Sequence, residues 1–388
     1  MKNLINLSGG DLLNLRVEGQ ILISESIKNG KTRQTQKEFA SIDEAQKACV
    51  KKEWESLKKG YAMQNAGAKA GEASLHVYIG GGYTGALAFA GALAFAGALA
   101  FAGAEGELFV YKCGGYKEGG ALDDFLIRLD VSGAVKQQIV LPKPLAWQAE
   151  RAGEILLLDL DHFIFKFDPT SGEFSDLSQW LSFKNSKEFT SFVCAAKDTA
   201  AFAMFGQIFT LRGGEILPLA EYKSEMKNYT PILCAALDGD GMRLVLHCKQ
   251  NEIKILNTLN GEILNVIKGD FNIFDKICFL ADGSLLGKER YAGKLVCLDT
   301  ASGERLNPAW LRGECAEADE CCVSADGLRL ALISYDKARI IDLKSGNLQP
   351  SFELSHVVKR CGAKFERING EEFLAVRTDY GCFSLYRV

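Results

Sequence analysis

The chain has 388 residues, 47% of them hydrophobic and 24% charged, and a formal net charge of −4. That length allows two or three domains, and the composition is that of a soluble globular protein. The small negative charge excludes a global pull toward nucleic acid or an anionic membrane.

The opening stretch MKNLINLSGGDLLNLRVEG has no continuous apolar core and no small-residue cleavage site, so no signal peptide is expected. Twelve cysteines are scattered without any CxxC pair, which leaves a zinc site without its usual spacing. Free thiols without an export signal point to the cytoplasm.

Residues 1–61 carry eleven Lys or Arg against eight Asp or Glu, whereas the remainder is acidic. LRVEGQILISESIKNGKTRQTQKEF reads as strands broken at Glu18-Gly19 and Asn29-Gly30. Ser41 with Glu44 forms a capping box ahead of a helix. Ala45, Ala48, Cys49, Trp54 and Leu57 recur near helical spacing, and Gly60 ends it.

Gly30, Arg33-Gln34, the phenylalanine of KEFAS, EAQKA and KKEWESLKKGY together carry a family pattern. This segment resembles the WGR domain, a small α+β module, although the Trp-Gly-Arg tripeptide is missing and the aligned stretch reads SESIKNGKTR. The resemblance implies nucleic-acid binding. Strand alternation puts Lys31, Arg33 and Lys37 on one face, and with Lys28 they form a basic hairpin that can meet phosphates.

Residues 62–73, AMQNAGAKAGEA, are small and polar and read as a linker. ASLHVYIG follows, with Leu75, Val77 and Ile79 alternating. Then comes GALAFAGALAFAGALAFAGA, residues 85–104, long enough to span a bilayer but rich in Ala and Gly. Its six-residue period scatters Leu87, Leu93 and Leu99 around a helix but keeps Leu and Phe of each copy together on a strand. A membrane span is not expected. The last copy reads as one strand and the two earlier copies as a repeat insertion.

From about residue 105 one unit recurs. A short apolar strand ends in Asp or Asn and turns through Ser or Asn and Gly: LIRLDVSG, FKFDPTSGE, IKILNTLNGE, LVCLDTASGE and RIIDLKSGN. The anchors are Asp130, Asp168, Asn257, Asp299 and Asp342, with Arg212 and Tyr386 in the same place in IFTLRGGE and CFSLYRV. A second register agrees: Cys194, Cys234, Cys278, Cys322 and Cys361 recur near the same interval. Seven units of ~40–45 residues match blades of four strands. Buried cysteines at equivalent places read as small hydrophobes rather than ligands.

These residues resemble the WD-repeat and PQQ-like (quinoprotein-type) propellers, the turns at Asp168 and Asp299 most of all. The expected fold is therefore mainly β: a seven-bladed β-propeller over 74–388 with a small N-terminal α+β domain. The last unit lacks a fourth strand, and residues 74–80 are expected to supply it, because an open strand edge is an aggregation template.

Chemistry is sparse. Gly30-Lys31-Thr32 echoes the end of a P-loop, but Glu25 stands where its first glycine belongs. His76, His162, His247 and His356 show no metal spacing, though ring closure would bring His76 toward His356. Carboxylates cluster at Asp123-Asp124, Asp159 and Asp161, Asp238 and Asp240, and in ECAEADE, where Glu314, Glu317, Asp319 and Glu320 form a candidate protein-binding loop. No catalytic residue, cofactor or metal site is expected. The function expected is a non-enzymatic, monomeric scaffold for a protein partner. Nucleic-acid association through the basic hairpin is the alternative, and a cofactor-binding enzyme using the central channel a third reading.

Overall fold

A computed structural model describes residues 2–81, 100–102, 107–114, 116–117, 120–144, 146–179, 190–225, 234–290, 292–357 and 361–388. The GALAFA insertion lies outside the described residues, except for a strand at Ala100–Ala102 from its last copy.

The first segment forms strands β1 (Lys2–Asn6), β2 (Leu12–Glu18), β3 (Ile21–Lys28) and β4 (Lys31–Glu38), helix α1 (Ile42–Leu57) and strand β5 (Tyr61–Gln64). Ser41 caps α1: its Oγ accepts the Glu44 N–H at 3.2 Å. Glu44 reaches back one residue beyond the usual box, accepting the Ala40 N–H at 3.1 Å. The helix lies on β2 and β3 and buries Cys49 and Leu57 against Leu4, Leu13, Leu15 and Leu22. Cys382, from the far end of the chain, sits in the same cluster.

β6 (Ala73–Tyr78) pairs antiparallel with both β5 and Cys382–Arg387. Beyond it, β7 (Ala100–Ala102) and β8 (Leu108–Lys112) open the first of the six four-stranded sheets found among the described residues. In the other five the strands follow chain order, with first strands Ala146–Ala152, Phe192–Ala196, Cys234–Leu237, Phe274–Phe279 and Glu320–Val323. Successive first strands touch and surround a central channel.

The expectation of seven four-stranded blades is thereby corrected to six. Cys361–Ile368, Glu371–Thr378 and Cys382–Arg387 do not end as a separate blade with β6. The second edge of β6 is occupied by β5, so pairing runs on through β5, β1, β2 and β3 to β4 in one nine-stranded sheet. Cys361–Ile368 touches Glu320–Val323 on one side and β7 on the other, so this long sheet closes the ring.

The turns explain the repeat. The Asp168 carboxylate accepts the Thr170 N–H at 2.8 Å, and Asp342 accepts that of Ser345 at 2.7 Å. Such side-chain bonds mimic a backbone turn, and the following glycine takes a positive φ, 74° at Gly172. Between sheets, apolar side chains interlock, as where Phe109 meets Phe167 edge-on at 5.6 Å.

Candidate interaction surfaces

The channel encloses about 1820 Å³ and is lined by first strands and by the turns at their ends. Its lysines are engaged. Lys276 pairs with Glu320 and donates to the Cys321 carbonyl at 3.1 Å. Lys288 reaches Asp275 at 2.8 Å and the Asp319 carbonyl at 3.0 Å. Lys364 lies 2.9 Å from Glu150 and 3.6 Å from Glu366. Burial alone would lower the affinity of Lys276 and Lys364 for their protons. The carboxylates beside them outweigh it and hold both above the ordinary lysine range.

Cys194, Cys234, Cys278, Cys322 and Cys361 all stand on first strands. Burial pushes each thiol up, and Cys321 up to about 12. They are protonated, poorly nucleophilic thiols. Among the described residues no three His, Cys, Asp or Glu converge as a metal site.

The acidic loop is split by the fold. Glu320 is buried against Lys276, and Asp319 accepts the Tyr335 N–H at 2.7 Å. Glu317 and Asp319 also line the channel, whereas Glu314 pairs with Arg339 away from it. Asp159 is fully buried, accepting from Ser191 Oγ at 2.5 Å and from the His162 N–H at 3.0 Å. Burial pushes its carboxyl up to about 7 against those two hydrogen bonds. Ser191 Oγ also lies 2.9 Å from His162 Nδ1, which joins the three side chains in one hydrogen-bonded chain.

The N-terminal strands meet the channel-forming sheets at a buried polar junction; ring closure brings His76 to His356 as expected, whereas Glu53, 303 residues from His356, carried no sequence signal. Glu53, on α1, is 1% exposed. It pairs with Lys2 and lies 3.2 Å from His356 Nε2. Burial disfavours its charge, but His356 and Lys2 win and hold the carboxyl at about 2. The His356 ring stacks on that of His76 at 5.2 Å and 18°. His76 is hydrogen-bonded through Nδ1 to Ser384, and burial drops its pKa to about 3 despite nearby Glu53. Trp54 adds an edge-on contact to Tyr380 at 5.1 Å.

Every residue of β4 is exposed. Lys28 stands opposite Lys31 in the ladder and pairs with Asp11 at 3.0 Å. Arg33 and Lys37 follow on the same face of the strand, with the Lys37 ammonium 4.9 Å from the Phe39 ring centre.

No family model and no curated protein matches the chain. Solved structures do. A structure of the mitotic checkpoint complex aligns with a TM-score of 0.57 at 12% identity, over 84% of this chain and 96% of the matched one. Virginiamycin B lyase from Staphylococcus aureus aligns at 0.52 and 12% identity, over 76% and 96%. The β-propeller domain of Myceliophteria thermophila Cps50 (Swd1) aligns at 0.50 and 13%, over 75% and 96%. These neighbours include a lyase and a chain from a multi-protein complex. At such identities they establish one thing about this chain, its β-propeller fold.

Proposed function

We propose that the protein is a non-enzymatic, monomeric platform for a protein partner. The propeller offers the rigid faces, and residues 1–61, read as a WGR-like module, recruit or orient a second partner. The observation that carries this reading is the pairing of β5 with β6. It makes the N-terminal strands an extension of a propeller sheet, and the Glu53, His356 and His76 junction locks the angle between them. A rigid arm at a fixed angle suits assembly rather than turnover. Within the channel, lysines and carboxylates neutralise one another, which favours a structural role for them over general acid–base work.

The test is capture of the tagged full chain from its own cells, followed by crosslinking and peptide mapping. Partner crosslinks should concentrate on the propeller faces and on residues 1–61. Recovery of the chain alone at low and high salt overturns the reading.

A second reading, nucleic-acid association, is favoured by Lys31, Arg33 and Lys37, which have no carboxylate partner among the described ion pairs. Gel shifts at low and high salt test it; no shift at low salt rejects it.

A further inference from the structure

β4 is the outermost strand of the nine-stranded sheet, and among the described residues only β3 pairs with it. Among the described residues the outer edges of the six four-stranded sheets are blunted. Val135–Val140 and Ile263–Lys268 each carry an extra residue relative to their partner strand, and Glu215–Glu221 carries an extra residue and Pro218. The remaining outer strands, Phe174–Asp176, Arg305–Leu306 and Phe352–Glu353, are only two or three residues long. Bulges, prolines and brevity are the usual defences against pairing with a foreign strand.

β4 has none of these. It runs in register with β3 at all eight positions without a shift. The connecting turn, Asn29-Gly30, has φ of 49° and 73°, the geometry of a two-residue hairpin. In such a hairpin the residues flanking the turn, Lys28 and Lys31, exchange both backbone hydrogen bonds. Alternation then assigns the main-chain groups of Lys31, Arg33, Thr35 and Lys37 to β3. Those of Thr32, Gln34, Gln36 and Glu38 point to the open side. The one defence left is charge, and charge selects: it repels basic strands and admits acidic ones.

We propose that β4 is a docking edge, which takes an extended acidic segment of a protein partner as a further strand of the sheet. Main-chain bonds from Thr32, Gln34 and Gln36 would supply affinity. Acidic side chains at alternate positions would meet Lys31, Arg33 and Lys37 and supply selectivity. This rests on the platform reading.

The test uses the full chain and a labelled peptide of alternating Thr and Glu, about eight residues long, with a Thr/Lys peptide and a single-stranded oligonucleotide as comparisons. The acidic peptide should bind, weaken at least tenfold in the double variant Gln34→Pro and Gln36→Pro, and weaken similarly with Lys31→Glu and Arg33→Glu. Both prolines fall where the N–H faces outward, so the β3 ladder is kept. Should the proline variant unfold, methylating alternate peptide amides removes the same bonds with the protein unchanged, and binding should fall equally. Peptide binding indifferent to proline and to methylation overturns the inference, as does no binding. Oligonucleotide binding lost on charge reversal but untouched by proline also overturns it, in favour of phosphate contact. If the proline variant still captures the wild-type partners, the docking edge falls and the platform stands; if neither chain captures any, the platform falls as well.

Discussion

Lys364 meets Glu150 at 2.9 Å, joining the first strand of the nine-stranded sheet to Ala146–Ala152. Between those strands lies β7, which touches both. The ion pair thus adds a direct link between the two strands that flank it. Replacing Glu150→Gln strands the Lys364 ammonium with Glu366 alone. A loss of about 1–3 kcal/mol is expected in chemical denaturation, more than for Glu154→Gln at a nearby turn. Equal effects would remove the bridging role.

Acid should weaken the junction. His76 is neutral in the fold, with a pKa of about 3 against an ordinary 6.5, so between those values the unfolded chain binds the extra proton. Stability contributed by neutral His76 is complete above pH 6.5 and drains as pH falls toward 3. Glu53, at about 2, adds a loss in the same direction below its unfolded value of 4.5. His76→Gln should reduce the stability difference between pH 7 and pH 5 by about 1–2 kcal/mol. Denaturant midpoints at both pH values would show it; parallel shifts of the two proteins would refute it.

Asp159 has the opposite sign. Its carboxyl sits at about 7 in the fold against an ordinary 3.8, so the folded state holds the extra proton between them. That contribution is full below 3.8 and is lost as pH rises through 7. Asp159→Asn should change the stability difference between pH 5 and pH 7 by about 2 kcal/mol in favour of pH 7 relative to the parent chain, opposite in sign to the His76 effect. The same pH difference in variant and parent would mean that Asp159 is ionised in place.

Two turn glycines separate conformational from steric cost. Gly261 and Gly346 share nearly the same φ, 73° and 72°. A Cβ at Gly346 would meet nothing, whereas at Gly261 it would lie 2.2 Å from the Leu219 carbonyl oxygen. Gly346→Ala should cost about 1 kcal/mol, and Gly261→Ala at least about 2 kcal/mol more. Similar melting temperatures would show that the neighbouring outer strand yields.

Excision of residues 85–96 removes two of the three GALAFA copies and keeps the Ala100–Ala102 strand. The shortened chain is expected to be folded and soluble, with an unchanged far-ultraviolet spectrum per residue. Aggregation on expression would assign the extra copies a structural role.

The turns at Asp168 and Asp299 are legible in the sequence because an Asx turn is made within four residues, by the anchor and its immediate successors. The five cysteines on first strands are legible for the same reason: repetition exposes a common position. The blade count misled, because a terminal unit of three strands reads alike whether its fourth strand ends a blade or continues into another hairpin. β5 carries no alternation that would mark it as a strand between β1 and β6. Lys364 with Glu150 and Glu53 with His356 are separated by 214 and 303 residues, beyond any local pattern. Glu320 reads as one acid of a candidate protein-binding loop, and only the strands place it beside Lys276 on one channel wall.

The seam between β6 and Cys382–Arg387 also orders events in time. Ser74 Oγ donates to the Leu385 carbonyl across 311 positions of chain, while β2, β3 and β4 are joined by two-residue turns. Closing so long a loop forfeits far more chain entropy than zipping a hairpin, so the seam forms after the local strands. Until then β6 is a bare edge awaiting a partner some three hundred residues away, at the place where the ring's two parts are fused.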